Sequence, residues 1–122
     1  MYIPPKMRIA NLPTPIEPME SINPDRGWSR LFVKRDDFTG FELSGKKVRK
    51  FDYSIRQALD LGAKVLITGG SLQSNHAKAT ASVAAQFGLR CHLVLSGYDE
   101  PADGNYLLDR LLGAEITILS PE

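Results

Sequence analysis

The sequence has little of what marks several large classes of protein. Its single cysteine, Cys91, excludes an internal disulfide and is typical of a reducing compartment. Fifteen basic residues against fourteen acidic ones leave a net charge of +1, which predicts no electrostatic binding of nucleic acid or of a membrane surface. No apolar run is long enough for a signal peptide or a membrane span, so we expect a cytoplasmic protein. His76 has no second histidine or acidic cluster at ligand spacing, so we expect no metal site.

What is present suits one compact domain preceded by an irregular arm. With 43% apolar and 24% charged residues, the 122-residue chain has the composition of a globular protein. Six prolines fall within residues 1–27 and exclude a lasting helix there, so we expect an extended N-terminal arm over 1–27 and an α/β domain over 28–122. Residues 31–35 are typical of a short strand that ends in an acidic turn.

From residue 47 onward the pattern becomes periodic. Apolar residues at helical spacing predict helices over 47–61, from Ser74 to about residue 87, and over 106–112. Continuous apolar runs predict strands at 65–68, 91–95 and 116–119, and we expect residues 69–73 to form a loop. Glycines 62, 88 and 113 would end the helices, and their regular spacing is typical of repeated βαβ units. The sequence therefore predicts a doubly wound, three-layer αβα fold with a mainly parallel sheet.

Ligands of such folds bind beyond the carboxyl ends of the strands, beside helix N-termini, which marks residues 44–50 and 69–76. The stretch GFELSGKKVRK (40–50) almost forms a P-loop, but Lys47 stands where a magnesium-binding Ser or Thr is needed, and no buried strand directly precedes it. Two interpretations of these lysines remain open. A helix N-terminus with cationic neighbours disfavours the ammonium form and favours a nucleophilic amine at Lys47, whereas a lysine cluster alone is typical of a solvated helix face.

Two longer stretches carry a resemblance to a known family. KRDDFTGFELSGKKVRKFDY (34–53) and GGSLQSNHAKATASVAAQFGL (69–89) resemble the N-terminal region of D-cysteine desulfhydrases and 1-aminocyclopropane-1-carboxylate deaminases. These are fold-type II pyridoxal-phosphate enzymes, similar to the tryptophan synthase beta chain. The family motifs Gly-Asn-Lys-x-Arg-Lys and Gln-Ser-Asn-His/Gln are matched in order and spacing, and the resemblance covers nearly all of residues 10–120.

The resemblance implies the cofactor pyridoxal 5'-phosphate and a role for each motif residue. Lys47 corresponds to the lysine that forms the Schiff base and moves the substrate's α-proton, and Lys50 to a neighbour of the cofactor phosphate. Ser74 would lie near the substrate α-carbon, Asn75 would hydrogen-bond the cofactor's 3'-oxygen, and His76 would lie with them at the substrate. Taken singly, Ser74 is equally typical of a helix N-cap, Asn75 of a loop, and Lys50 and His76 of a surface.

The resemblance also implies the reaction, with the substrate left between two relatives. The first expectation is a desulfhydrase that converts D-cysteine to pyruvate, hydrogen sulfide and ammonia, because the family's desulfhydrase branch has histidine at the position of His76. The alternative is a 1-aminocyclopropane-1-carboxylate deaminase. Either enzyme would act on a small amino acid.

Two departures from the family pattern bear on activity. Lys46 replaces the family asparagine, so it would promote the free amine of Lys47, displace the cofactor or point to solvent. Family members are considerably longer, and their C-terminal part supplies a glycine-rich phosphate cradle, so we expect a fragment or a shortened, catalytically incomplete chain. The remaining alternative is a non-catalytic association module, and the exposed sheet edge predicts a homo-oligomer such as a dimer, or pairing with a longer homologue.

Overall fold

The computed structural model describes residues 4–19, 31–40 and 45–120. The end of the predicted arm (20–27) and residues 41–44 of the lysine motif lie outside these ranges. The strands are β1 (Ile16–Pro18), β2 (Phe32–Lys34), β3 (Val65–Ser71), β4 (Arg90–Ser96) and β5 (Glu115–Leu119). The helices are α1 (Val48–Asp60), α2 (Asn75–Gln86) and α3 (Gly104–Leu111), and 3-10 turns occupy Asp36–Thr39 and Gly45–Lys47.

The second half of the chain forms a parallel sheet with the strand order β3-β4-β5. Val65 pairs with Arg90 at one end of β3, and His92 pairs with Glu115 at the start of β5. β3 is followed by α2 and β4 by α3, and each helix returns the chain to the same end of the sheet, as parallel pairing requires. The predicted α/β class with a parallel sheet is confirmed.

The core lies between one face of this sheet and the helices. Cys91, Leu93 and Leu95 alternate along β4 and are buried against α2 and Tyr106 of α3. On the opposite face Ile67 is 66% exposed. The structure therefore provides the sheet and one helical layer of the expected three-layer arrangement, and the residues it describes place no second layer over Ile67.

The three predicted helix-ending glycines are confirmed. Gly62, Gly88 and Gly113 have φ values of +71°, +65° and +77°, a left-handed conformation that costs glycine little. In each case the following residue donates its backbone N–H to a carbonyl in the last turn of the helix, for example Ala114 to Asp109 at 3.1 Å. These glycines end the helices because their left-handed conformation lets the next residue donate a hydrogen bond to a carbonyl of the last turn.

The predicted loop at 69–73 is wrong for its first three residues. β3 continues through Gly69 and Gly70 to Ser71, which pairs with Ser96 of β4. Glycine is intrinsically disfavoured in strands, but here the pairing with β4 outweighs that disadvantage. A side chain at Gly69 would meet the carbonyl oxygen of Val94 at 3.3 Å, so the close approach of the two strands favours glycine.

The described part of the N-terminal arm is fixed to the body of the protein. β1 of the arm pairs antiparallel with β2 and forms a two-stranded sheet. The proline-rich sequence of the arm did not indicate this strand. Earlier in the arm, the backbone N–H groups of Ile9 and Ala10 donate hydrogen bonds to the Asp52 carboxylate of α1, at 2.9 Å and 3.2 Å. The Asp52 carbonyl accepts a third bond, from Met7 at 2.7 Å. The arm thus holds α1, the helix that follows Lys47.

Candidate active site

Lys47 lies at the junction between a 3-10 turn and α1. The turn Gly45–Lys47 leads directly into the helix, and Lys47 is its half-buried N-cap residue. Gly45 has a φ of +52°, which lets the chain turn sharply before the helix begins. Lys46 is exposed, which favours the expectation that its side chain points to solvent. The same turn contacts α2, the helix that begins at the second candidate motif.

The neighbouring cation Arg49 is held away from the candidate site by an acidic partner. Its guanidinium donates to Asp36 at 2.5 and 3.1 Å and to the hydroxyl of Thr14 at 3.1 Å. Hydrogen bonding to Arg49 is the main reason why the pKa of Asp36 is lowered. The four basic residues of 46–50 are therefore not equivalent, because Arg49 is ion-paired, Lys47 is half-buried, and Lys46 and Lys50 are exposed.

Ser74 is the N-cap of α2. Its hydroxyl oxygen accepts a hydrogen bond from the backbone N–H of Ala77 at 3.2 Å, so the structural role that serine often has is observed. That bond uses an oxygen lone pair and leaves the hydroxyl hydrogen available to a ligand. Gly70 makes room for this arrangement, because a side chain there would lie 2.6 Å from the Ser74 oxygen.

Asn75 opens α2 and is tied to the start of α3. Its Oδ1 accepts a hydrogen bond from Nδ2 of Asn105 at 3.0 Å. Asn105 also donates from Nδ2 to the carbonyl of Gln73 at 2.9 Å, and the Gln73 side chain donates to the carboxylate of Asp103 at 2.8 Å. Asn75 is therefore not an isolated polar residue of a loop. Its side-chain amide is held by Asn105, which is 30 residues away in the sequence.

His76 is half-buried between the two candidate helices. Its ring stacks on Phe51 of α1 with centroids 5.7 Å apart and planes 13° from parallel. Nδ1 is buried and has no hydrogen-bond partner among the residues described. Burial, and then the charges of Lys50 and Lys47, lower the pKa of His76 below its ordinary value, so the ring is neutral at pH 7.

Lys50 and His76 share a cleft of about 680 Å³ between α1, α2 and the free edge of β3. The rest of its lining is mainly apolar and includes Phe51, Ala58 and Ile67. Lys47, Ser74 and Asn75 do not line this cleft. The five candidates stand at the starts of α1 and α2, and only Lys50 and His76 share the cleft.

The sequence did not indicate three residues of this region. Asn105, Asp103 and Phe51 act through contacts with partners that are distant in the chain, and no local motif marks such contacts. The Asp-Gly-Asn order at 103–105 is typical of a helix start, but it does not indicate a contact with Asn75.

An α/β domain with a lysine at one helix start and a Ser-Asn-His run at the next is the arrangement that the resemblance predicts for a cofactor-binding enzyme domain. The sequence matches the family described as pyridoxal-phosphate dependent enzyme over residues 7–122. The chain belongs to this family of pyridoxal-phosphate dependent enzymes.

Individual relatives agree with the family. The chain is 42% identical over 120 residues to the bifunctional D-cysteine desulfhydrase/1-aminocyclopropane-1-carboxylate deaminase, mitochondrial, of Arabidopsis thaliana, covering 93% of this chain and 30% of that protein. It is 38% identical over 103 residues to a D-cysteine desulfhydrase of Salmonella paratyphi A, covering 84% of this chain and 31% of that protein. A crystal structure of an ACC deaminase homologue superposes with a TM-score of 0.89 at 39% identity, covering 98% of this chain and 36% of that one.

The chain spans about a third of the length of these relatives, which confirms the expectation that it is truncated relative to the family. No helix in the described ranges is long and apolar enough to cross a membrane. The same ranges contain no group of three His, Cys, Asp or Glu residues that could hold a metal. The cytoplasmic location stays a prediction.

The residues present fit one side of pyridoxal phosphate. Lys47 offers an amine for the carbonyl group, and the amide nitrogen of Asn75 has no partner among the described residues and can donate to an oxygen anion. The unpartnered Nδ1 of His76 is a further polar group awaiting a ligand. Within 45–120 the only positive charge at the cleft is Lys50, and that range has no glycine-rich phosphate cradle.

Proposed function

We propose that this chain is the lysine-bearing part of a pyridoxal-phosphate-dependent lyase or deaminase that acts on a small amino acid. The observation that carries the proposal is the contact between the Gly45–Lys47 turn and α2. The charge of Lys47 also lowers the pKa of His76 in α2, which supports a common site for the lysine and residues 74–76. Lys47 and Ser74 each stand at a helix N-terminus, and such ends favour negative charge on a ligand.

Each residue has a defined task under this proposal. When bound, the cofactor supplies a carbonyl carbon and a conjugated ring that accepts electrons from the substrate α-carbon. The amine of Lys47 attaches the cofactor and later moves a proton at that carbon, for which its half-buried position limits competing water. Asn75 donates to the 3'-oxygen, Ser74 donates its hydroxyl hydrogen to the substrate, and Lys50 offers charge to the phosphate.

The first candidate substrate is D-cysteine, with cleavage to pyruvate, hydrogen sulfide and ammonia. The second is 1-aminocyclopropane-1-carboxylate, and the Arabidopsis relative carries both names. By the resemblance His76 favours D-cysteine, although its neutral ring could offer either substrate a hydrogen bond without adding charge. Parallel assays separate the two, because only cleavage of D-cysteine releases sulfide, whereas both reactions release ammonia.

Cofactor attachment is the decisive test. We expect the purified chain to give the absorbance band of lysine-bound pyridoxal phosphate, and borohydride reduction followed by peptide mass spectrometry to find the label on Lys47. The variant Lys47→Arg should abolish the band. Lys46→Arg, at the exposed neighbouring position, is the matched control and should retain it. Label spread over surface lysines, or retained in Lys47→Arg, would contradict the proposal.

A second proposal concerns association, and the exposed sheet face supports it. Ile67 of β3 and Leu119 of β5 are 66% and 54% exposed, which is unusual for apolar residues of a parallel sheet. We infer that this face is covered in the cell by a second copy of the chain or by a longer homologue. Light scattering should therefore find oligomers, and a clean monomer at modest concentration would count against association.

A further inference from the structure

The orientation of the Asn75 amide matters, because its two ends have opposite chemistry. Only the nitrogen end can donate to an anionic oxygen, and the carbonyl end would repel one. Amide ends are assigned from their hydrogen-bond partners, so the assignment is firm where each partner can only donate or only accept. The network around Asn75 contains such partners.

The Asn105 side chain is fixed by a backbone carbonyl. The group facing the carbonyl oxygen of Gln73, at 2.9 Å, must be the Asn105 nitrogen because a carbonyl cannot donate. The same nitrogen lies 3.0 Å from the Asn75 side chain and has a second hydrogen for it. The atom of Asn75 that receives this hydrogen is therefore its oxygen.

The supporting glutamine is fixed independently. Oε1 of Gln73 lies 2.8 Å from the backbone N–H of Asn105, which can only donate, and Nε2 lies 2.8 Å from a carboxylate oxygen of Asp103. Gly104 permits this approach, since its φ is +46° and a side chain there would lie 2.5 Å from Oε1 of Gln73. Every member of the network therefore has one consistent orientation.

We propose that Asn105 is a positioning residue that holds the Asn75 oxygen toward α3 and thereby turns the Asn75 nitrogen toward the cofactor's 3'-oxygen. This inference rests on the proposed function, because it presupposes a cofactor at Asn75. Asn105 itself does not contact the cofactor. Its contribution is to exclude the rotated amide, in which an oxygen would face an oxygen.

The variant Asn105→Asp should reverse the orientation of the Asn75 amide. A carboxylate has no hydrogen to donate, so it attracts the Asn75 nitrogen and leaves the Asn75 oxygen facing the cofactor. Loss of a hydrogen bond to a charged group predicts a dissociation constant for pyridoxal phosphate raised about ten- to a hundredfold. Asn105→Ala removes the partner and lets the amide rotate freely, which predicts only about a twofold rise. Asp103→Ala, which weakens the network without touching Asn75, is the matched control.

Two measurements test the proposal. The first is binding of pyridoxal phosphate by the three variants, together with the pH at which the visible cofactor band titrates. We expect the aspartate variant to favour the protonated 3'-oxygen and to shift that pH, and the other two to change it little. The second is NMR of the side-chain amide of Asn75, whose signals should respond to cofactor in the wild-type chain and fail to respond in Asn105→Asp.

The order of the effects distinguishes positioning from general support. If the network merely stabilised the helix starts, Asn105→Ala and Asp103→Ala would weaken binding as much as Asn105→Asp, and that result would overturn the proposal. An unchanged cofactor band in Asn105→Asp would also overturn it while leaving the proposed function intact. Absence of any band in the wild-type chain would refute the proposed function, and the role of Asn105 with it.

Discussion

The buried carboxylate of Asp109 should make the stability of this protein depend on pH. Asp109 lies in α3, is completely buried, and neither of its oxygens has a hydrogen-bond partner among the residues described. The charged group facing it from α2 is Lys78, and the thiol facing it from β4 is Cys91. Burial raises the pKa of Asp109 to about 6, although the charge of Lys78 opposes the rise.

The size and sign of the effect follow from this pKa. In the unfolded chain Asp109 titrates near 3.8, so between 3.8 and about 6 the folded state binds more protons. Folding is therefore favoured at low pH, and this advantage is lost as the pH rises through that interval. At about 1.4 kcal/mol for each pH unit, the ionised carboxylate costs about 3 kcal/mol of folding free energy above pH 7.

The substitution Asp109→Asn keeps the shape of the side chain and removes the charge. We expect urea unfolding to show a gain of up to about 3 kcal/mol at pH 8, which disappears near pH 4, where the wild-type carboxyl is also neutral. Asp60→Asn removes a charge from an exposed ion pair with Arg56 and should change stability by less than about 1 kcal/mol at either pH. A gain from Asp109→Asn that is equal at both pH values, or a loss at pH 8, would refute the reasoning.

Three further substitutions test contacts around the candidate site. Asp52→Ala leaves two backbone N–H groups of the arm without their acceptor, so unfolding in urea should require about 3 kcal/mol less, and amide exchange in the arm should accelerate. Phe51→Leu removes the ring that covers His76, so the pKa of His76 should rise toward its ordinary value in an NMR titration. In the wild type, protonation of His76 opposes folding, so stability falls as the pH drops below 6.5. Gly70→Ala displaces the Ser74 hydroxyl from its capping position, which should lower the free energy of unfolding by about 1 kcal/mol and weaken cofactor binding.

Two of these substitutions have an internal comparison. Gly69→Ala introduces the same methyl group one residue earlier, at 3.3 Å from the carbonyl of Val94, and should leave cofactor binding unchanged. His92, bonded to Thr117 across β4 and β5, provides ring signals that Phe51→Leu should not move. Equal losses of binding at Gly69 and Gly70, or a His76 titration insensitive to Phe51, would contradict the roles assigned.

The features that could be predicted from the sequence are those that depend on neighbours in the chain. Gly62 ends α1 because a left-handed residue after a helix is a local requirement, and the apolar spacing of α1 reports its buried side directly. The structure also places Ser74 at a helix start, as its residue type and position indicate. The two candidate motifs are short local patterns of the same kind.

The rest depended on partners that the sequence does not name. Gly69 and Gly70 belong to β3 because β4 pairs with them, although glycine alone is typical of a loop. The sequence did not predict β1, because its prolines are typical of irregular chain and only its pairing with β2 makes it a strand. The basic residues beside Lys47 appeared equivalent until the bond between Arg49 and Asp36 separated them.

Both helix starts of the candidate site are held from outside their own motifs. The arm and Asp36 fix the beginning of α1 through Asp52 and Arg49, and the start of α3 fixes the beginning of α2 through Asn105. A site whose groups are ordered before binding loses less conformational entropy when its ligand arrives, so its affinity is higher for the same contacts. All these supports lie within the described residues, so we expect this part of the chain to order the groups around Lys47. Cofactor binding by this chain then measures the affinity that these ordered groups provide by themselves.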